Sequence, residues 1–255
     1  PSGGIPREEL DALRSGTHRD PHSVYGAHPT GSGSVVRTMQ PGATSVEIVL
    51  GTRTVPMEPL GDGMFGAGLP ERDVPDYRFR VTYPDGHTRI VADGYRFLPT
   101  LGEMDLHLIN EGRHERLWTV LGAHVRTYDT PGGPLTGTSF AVWAPNARGI
   151  SVVGDFCGWN PIALPMRAIG ASGVWELFVP DVIDDAVYKY CVRGADGRTV
   201  DHADPHAVAT EVPPATGSRV FTSGHEWNDD EWVAGRATRD HSRSPMTVLE
   251  VHVGS

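Results

Sequence analysis

An internal repeat is the sequence feature that most constrains the fold of this 255-residue chain. Short motifs from the first half return in the same order in the second half, beginning with Tyr25-Gly-Ala-His28 and Leu121-Gly-Ala-His124. The later matched pairs are Pro41-Gly-Ala43 with Pro145-Asn-Ala147, Leu50-Gly51 with Val153-Gly154, Pro56-Met57 with Pro165-Met166, Gly63-Met-Phe65 with Gly173-Val-Trp175, Tyr77-Arg-Phe79 with Tyr188-Lys-Tyr190, Asp85-Gly86 with Asp196-Gly197, and Asp93 with Asp204. Such ordered self-similarity predicts two copies of one structural module.

Both copies have the residue pattern of short β-strands. Apolar residues alternate along 46–50 and 77–83, and Pro84-Asp85-Gly86 is typical of a hairpin turn. The stretch 137–160 predicts a strand, a turn at Pro145-Asn146, a second apolar strand and a loop. With 31 Gly and 21 Pro available for turns, the sequence predicts an all-β protein.

Two regions outside the strands have helical patterns. Residues 6–16 begin with Pro6, place Leu10 and Leu13 three apart and end at Gly16, which predicts one short helix. Residues 98–121 predict one or two short helices separated by Gly112, as a link between the β-modules.

These patterns divide the chain into five segments. After a polar linker, residues 247–255 begin another apolar strand pattern, and no further strand follows it in this sequence. A strand buried on both faces needs neighbours, so we expect 247–255 to be the first strand of a domain that this sequence does not include. The expected segments are an N-terminal helix (1–17), a first β-sandwich (18–100), a helical linker (101–120), a second β-sandwich (121–226), and a linker with that strand (227–255).

Composition excludes several classes of function. The 22 Lys and Arg and 32 Asp and Glu leave a net charge of -10, without a basic stripe for nucleic acid. The sequence contains neither an apolar run of the ~18 to 20 residues needed to cross a membrane nor a secretory pattern. We therefore expect a cytoplasmic protein that binds neither nucleic acid nor membranes, and Cys157 and Cys191 as reduced thiols.

The two copies differ most at one loop. Between the matched Gly and Pro the first copy has four residues, 52–55, whereas the second has ten, 155–164. This insertion carries Trp159 and Asn160; an aromatic face with an amide beside it is typical of sugar-binding surfaces, and Lys189 can stand nearby. The alternative is structural: Trp159 caps the sandwich and Asn160 closes an Asx-turn before Pro161. Trp143 and Trp175, inside strand patterns, are predicted to be core residues.

No motif predicts an active site, a metal site or a cofactor. His202 and His206 are four apart, but Asp204-Pro205 between them breaks the helix that would bring them to one face. The sequence has no Gly-x-Ser-x-Gly, Walker-type or dinucleotide motif. We therefore predict no catalytic residue, no metal and no cofactor.

The chain from about position 18 onward resembles the bacterial glycogen branching enzymes that have an extra N-terminal β-domain. The resemblance rests on a set of motifs spread along the chain: Asp20-Pro-His22, Gly26-Ala-His28, Ala92-Asp-Gly-Tyr-Arg-Phe97, Gly112-Arg-His114, Gly122-Ala-His124, Phe140-Ala-Val-Trp-Ala-Pro-Asn146, Gly158-Trp-Asn160, Asp204-Pro205 and Glu250-Val-His-Val-Gly-Ser255. It implies two tandem immunoglobulin-like β-sandwiches, the second like a family-48 carbohydrate-binding module, followed by a (β/α)8 barrel whose first strand includes 250–255.

The implied reaction transfers an α-1,4-glucan segment to a 6-hydroxyl, forming an α-1,6 branch in glycogen biosynthesis with retention at the anomeric carbon. Carboxylates at the ends of barrel strands perform such chemistry, so we expect this chain to be an inactive truncated fragment. Its expected partners are α-glucan (glycogen or maltooligosaccharides) and the missing barrel. Related glycogen-binding modules have a Trp at position 159 and a Lys at position 189, but their second Trp is absent from 197–201. The alternative is a β-sandwich spacer without a sugar ligand.

Overall fold

The structure, a computed structural model, describes residues 4–73, 76–238, 240 and 242–252. Its helices are α1 (Arg7–Ser15), α2 (Glu103–Asn110) and α3 (Asp230–Arg236). Its strands are β1 (Gly26–Thr30), β2 (Gly33–Met39), β3 (Ser45–Leu50), β4 (Arg53–Pro56), β5 (Glu58–Gly61), β6 (Met64–Leu69), β7 (Arg78–Thr82), β8 (Thr88–Ala92), β9 (Gly122–Thr130), β10 (Gly133–Trp143), β11 (Gly149–Gly154), β12 (Arg167–Ala168), β13 (Val174–Pro180), β14 (Val187–Arg193), β15 (Thr199–His202), β16 (Ala209–Thr210) and β17 (Ser218–Arg219).

The first β-sandwich packs two four-stranded antiparallel sheets, ordered β1-β2-β6-β5 and β4-β3-β7-β8. Period-2 alternation gives each strand one apolar face, and the two apolar faces enclose the core. The fully or nearly buried core residues come from both sheets: Val36, Val46, Ile48, Met57, Phe65, Leu69, Tyr77, Phe79 and Val81.

The second β-sandwich repeats this arrangement with sheets β12-β13-β10-β9 and β11-β14-β17-β16, and β15 also pairs with β14. Its core is larger and includes Phe140, Ile150, Trp175, Tyr188 and Tyr190. The predicted all-β fold with two tandem sandwiches is confirmed, and both cysteines are free thiols, as expected. The five segment boundaries remain a prediction.

Matched residues of the repeat make the same hydrogen bonds in both sandwiches. Tyr77 donates its hydroxyl proton to the buried Asp93, and Tyr188 donates to Asp204 with an oxygen–oxygen distance of 2.6 Å. Burial raises the pKa of the Asp93 carboxyl. The other carboxylate oxygen of each aspartate accepts the backbone N–H two residues later, at 2.9 Å in the first copy and 2.8 Å in the second. Both copies of the repeat therefore contain the same tyrosine–aspartate hydrogen-bond pair.

The predicted helices are present. Helix α1 begins after Pro6 and ends at Gly16, whose left-handed conformation (φ 66°) suits glycine, and it buries Leu10 and Leu13 against the first sandwich. In the linker, α2 is followed by Gly112 (φ 67°) and a 3-10 turn at Leu117–Thr119. Apolar linker residues cover Ala141 and Val174 on the outer face of the second sandwich.

Residues 4–222 form one compact unit that holds both sandwiches, and residues from 223 onward form a separate small unit. The prediction of a strand at 247–255 is wrong for residues 247–252, which have no regular secondary structure; 253–255 lie outside the described residues. Val248 and Leu249 are 79% and 83% exposed. A strand forms only when neighbouring strands accept and donate its backbone hydrogen bonds, and no such neighbour pairs with these described residues.

One buried carboxylate joins the first sandwich to the second. Glu176, on β13, is fully buried; its Oε1 accepts hydrogen bonds from the backbone N–H and the hydroxyl of Thr100, both at 2.8 Å. Its Oε2 accepts from Arg167 at 2.9 Å, and Arg167 also donates to the carbonyl oxygen of Phe97 at 3.0 Å. The chain leaving the first sandwich is therefore fastened to a sheet of the second.

Tyr95 makes a second contact between the sandwiches through its hydroxyl group, and its ring packs within the first sandwich. The Tyr95 hydroxyl donates to the carbonyl oxygen of Pro165 at 3.1 Å, and the rings of His22 and Tyr25 each meet the Tyr95 ring edge-on at 5.0 Å. Burial, and secondly the charge of Arg167, lower the pKa of His22 to about 3. His22 is therefore neutral in the folded protein at neutral pH.

We expect Glu176→Ala to lower the free energy of unfolding by ~3 to 5 kcal/mol, because the change leaves the Arg167 guanidinium buried without its carboxylate. Urea denaturation followed by circular dichroism measures this. The control is Glu47→Ala, which breaks a half-exposed pair with Arg80 and should cost less than ~1 kcal/mol. Equal losses in the two variants would contradict the assignment of Glu176 as the joining residue.

We expect His22→Phe to flatten the pH dependence of stability between about pH 6.5 and 3. In this window the unfolded chain binds a proton at His22 that the folded protein does not, so wild-type stability falls with falling pH by up to ~1.4 kcal/mol per pH unit. The measurement compares urea midpoints of both proteins across the window. Parallel curves would show that His22 is not held neutral by the fold.

Candidate functional site

The inserted loop of the second sandwich begins where β11 ends at Gly154. A 3-10 turn, Asp155–Cys157, leads to Gly158 (φ 60°) and Trp159 (φ 57°), two consecutive left-handed residues. Such a conformation is unusual for a residue with a bulky side chain. It is held here by a hydrogen bond of 2.9 Å from the Trp159 backbone N–H to the carbonyl oxygen of Gly154. The loop therefore turns back on its own strand and presents Trp159 at its tip.

The Trp159 side chain is exposed and tethered. It retains 39% of its accessible surface, and its indole N–H donates to Oδ1 of Asp155 at 2.8 Å. A charged acceptor makes a stronger hydrogen bond than a neutral one and restricts the ring to a narrow range of orientations. The result is a solvent-accessible aromatic surface whose position is set before any ligand arrives.

Asn160 takes the structural role that the sequence offered as an alternative. Its Oδ1 accepts a hydrogen bond from the backbone N–H of Ile162 at 3.0 Å, which forms the Asx-turn around Pro161. The amide nitrogen of Asn160 makes no hydrogen bond within the part of the chain that the structure describes. This half-buried side chain therefore closes a turn with one atom and keeps a donor available.

Lys189 lies next to the loop, but its ammonium group bonds to a residue outside the loop. In the β11–β14 register Gly154 is opposite Tyr188, and Val153 is opposite Lys189, so the strand position is adjacent to the start of the loop. The ammonium group donates to the hydroxyl of Thr216 at 2.8 Å. Among the described residues no hydrogen bond joins Lys189 to Trp159 or Asn160.

Sequence reasoning did not identify Asp155 or Thr216. Asp155 is the first residue of the insertion, so its place four residues before Trp159 was a usable signal. Thr216 lies 27 residues from Lys189 and has no local pattern that links the two. The expectation that Trp143 is a core residue is wrong, since it is 53% exposed and its indole donates to the carbonyl oxygen of Ser172; Trp175 is buried, as expected.

Strand β15 occupies the region where related glycogen-binding modules carry their second Trp. Asp201 in this strand is opposite Cys191 in β14. Burial, and secondly a hydrogen bond with Asp201, raise the pKa of the Cys191 thiol to about 11, so this thiol is neutral at physiological pH. Strand β15 contains no tryptophan, so Trp159 is the tryptophan that this candidate site offers.

The described residues contain no group of three His, Cys, Asp or Glu side chains placed to hold a metal ion. A search of the same residues for a helix long and apolar enough to cross a membrane also finds none.

The two sandwiches match two domain families. Residues 120–207 match carbohydrate-binding module 48 (isoamylase N-terminal domain), so the sandwich with the Trp159 loop is a module of a carbohydrate-binding class. Residues 6–95 match the N-terminal domain of alpha-1,4-glucan branching enzyme GlgB. Over both sandwiches the chain therefore corresponds to the N-terminal part of bacterial glycogen branching enzymes, which contains the N-terminal β-domain and the family-48 module.

Curated relatives agree with this assignment. The chain is 58% identical to 1,4-alpha-glucan branching enzyme GlgB of Rhodococcus jostii (strain RHA1) over 97% of its own length, and 58% identical to that of Nocardia farcinica (strain IFM 10152) over 98%. It spans 34% of the length of each of these relatives. A pullulanase type I structure from Bacillus subtilis str. 168 matches 80% of this chain and 27% of its own, at 17% identity and a TM-score of 0.35.

We expect Asp155→Ala to release the Trp159 ring without unfolding the module. Asp155 is exposed, so the lost hydrogen bond should cost no more than ~1 kcal/mol of stability while the ring gains orientations. Incorporation of 5-fluorotryptophan gives one 19F resonance for each Trp, and the resonance absent from Trp159→Ala identifies this ring. That resonance should shift and narrow in Asp155→Ala and stay unchanged in the control Asp184→Ala. An unchanged resonance in both would mean that the tether does not order the ring.

Proposed function

We propose that this chain is the glucan-holding region of a 1,4-α-glucan branching enzyme, and that Trp159 is the main contact with the sugar. The observation that carries the proposal is the exposed Trp159 ring, fixed by Asp155 on an insertion that only the family-48 copy of the repeat contains. The whole enzyme would transfer α-1,4-glucan segments to 6-hydroxyls in glycogen.

The chemistry of the loop supports an α-glucan ligand. The apolar face of a glucose unit packs against an indole ring through C–H contacts, and the ring orientation must be set for two faces to align. Asn160, the next residue of the loop, keeps its amide nitrogen available as a hydrogen-bond donor. Lys189 can join the site only by leaving Thr216, which makes it a secondary contact in this proposal.

A second candidate function is a structural spacer with no sugar ligand. Two observations favour it: Asn160 Oδ1 is used in a turn, and the Lys189 ammonium group already has a partner. Packing against the proposed (β/α)8 barrel of the whole enzyme would then be the module's only role. The exposure of Trp159 favours the glucan-holding function over this one.

We also propose that catalysis belongs to that barrel and that the 255-residue chain alone has no branching activity. The curated relatives are about three times as long as this chain, which leaves room for a barrel of ~250 residues. A cytoplasmic location is part of the same proposal, because glycogen synthesis uses soluble intracellular substrates. Branching activity in the purified chain, measured as new α-1,6 linkages in amylose, would contradict it.

Trp159→Ala tests the glucan-holding function directly. Loss of a ring that anchors a ligand costs ~2 kcal/mol or more, so we expect the dissociation constant for glycogen to rise about 30-fold. Affinity gel electrophoresis in glycogen measures it. The matched control is Trp118→Ala, which removes another exposed tryptophan (58%, against 39% for Trp159) from the helical linker.

The outcomes separate the two functions. Retardation by glycogen that is lost in Trp159→Ala and kept in Trp118→Ala supports a glucan site at the loop. Identical migration of the wild type with and without glycogen supports the spacer. Equal retardation of the wild type and Trp159→Ala would contradict the role of Trp159 and place glucan binding elsewhere on the chain.

A further inference from the structure

A cleft of about 440 Å³ lies between the two sandwiches, on the other side of the Trp159 loop. The first sandwich contributes Gln40, Tyr83 and Arg89 to its wall. The second contributes Cys157 and Asn160 from the inserted loop, and residues 177–182 at the end of β13. Concave spaces between domains, with an apolar floor and a few polar groups, are common ligand sites.

Several polar groups of the cleft have no partner within the protein. Arg89 is exposed and makes no ion pair or hydrogen bond through its guanidinium among the described residues. The Asn160 amide nitrogen, the Tyr83 hydroxyl and the Asp181 carboxylate are likewise unengaged there. These groups provide donors and acceptors in one place, next to the half-buried Tyr83 ring.

The charges of the wall favour a neutral ligand. Arg89 is the single cation among the lining residues, against the carboxylates of Asp93, Asp155 and Asp181. Asp93 and Asp155 already accept hydrogen bonds from Tyr77 and Trp159. An anion would meet three carboxylates, and the described residues include no metal-binding group for a cation. A polyhydroxylated molecule satisfies the same groups without a net charge.

We propose that this cleft is a second binding site for an α-1,4-linked glucose oligosaccharide, with Arg89 and Asn160 as hydroxyl ligands and Tyr83 as an aromatic contact. The choice of α-glucan rests on the function proposed above. One short loop serves both sites: Gly158 and Asn160 line the cleft, while Trp159 between them does not. A glucan held on the Trp159 ring can therefore continue around the loop into the cleft.

Cys157 gives a direct readout for this site. Its half-buried thiol lines the cleft, whereas Cys191 is 2% exposed on another strand. The experiment measures the rate at which N-ethylmaleimide alkylates Cys157 in the full chain, by mass spectrometry of the Cys157 peptide, with and without maltoheptaose. The cleft is tested in Trp159→Ala, so that sugar at the tryptophan cannot shield the thiol, and the wild type is measured beside it. Cellohexaose, with β-linkages, is the control sugar.

In the Trp159→Ala background we expect maltoheptaose to slow the alkylation of Cys157. Adding Arg89→Ala should raise the maltoheptaose concentration needed for half-protection about tenfold, the effect of losing one charged hydrogen-bond donor. Arg72→Ala is the matched control, since Arg72 is an exposed arginine of the same sandwich without an ion pair among the described residues. It should leave the protection unchanged.

Three results would overturn the proposal. Absence of protection in Trp159→Ala refutes the cleft site; if the wild type is nevertheless protected, the shielding comes from the tryptophan and the proposed function stands. Equal protection by cellohexaose refutes the assignment to α-glucan. Protection that survives Arg89→Ala places the sugar elsewhere. Conversely, protection that depends on Arg89, combined with unchanged glycogen retardation of Trp159→Ala, would support the cleft and refute the tryptophan site.

Discussion

The relative placement of the two sandwiches depends on the buried carboxylate of Glu176. Three donors from Thr100 and Arg167 converge on its two oxygens, so both oxygens of the carboxylate are engaged. Because Arg167 also holds the carbonyl of Phe97, the segment that leaves the first sandwich cannot rotate without breaking several bonds together. This cluster therefore fixes the segment that leaves the first sandwich to strands β12 and β13 of the second.

A buried ion pair is a poor source of stability, because the cost of removing both charges from water offsets their attraction. The pair of Glu176 and Arg167 is better explained by the directionality of its hydrogen bonds. Apolar side chains can fill the same volume, but they cannot favour one orientation of the linker over other orientations. Tyr95 acts in the same way, with one hydroxyl bond to Pro165 and two edge-on ring contacts. Directional contacts of this kind turn two independent sandwiches into one unit that can share a ligand site.

The sequence predicted what is local or repeated. Alternation identified the strands, and the repeat matched Tyr77 with Tyr188 and Asp93 with Asp204. The structure then joins the tyrosine and the aspartate of each copy by a hydrogen bond. It did not predict the contact of Glu176 with Thr100, 76 residues away, because a single buried Glu in a strand pattern has no periodicity to reveal its partner. The prediction of a strand is wrong at residues 247–252 because it used only local information. The local apolar pattern is typical of a strand, but a strand forms only beside neighbouring strands.

The inserted loop shows how one backbone conformation can serve two surfaces. Gly158 and Trp159 are both left-handed, and the hydrogen bond from Trp159 to Gly154 closes the loop over five residues. At these two residues the chain turns back on itself. The Trp159 side chain is exposed at this turn, and the next residue, Asn160, lines the cleft. A residue with a β-carbon at position 158 meets no clash with other atoms, only the strain of φ 60°. The exposed ring of Trp159 and part of the cleft wall are therefore set by one short loop with two left-handed residues.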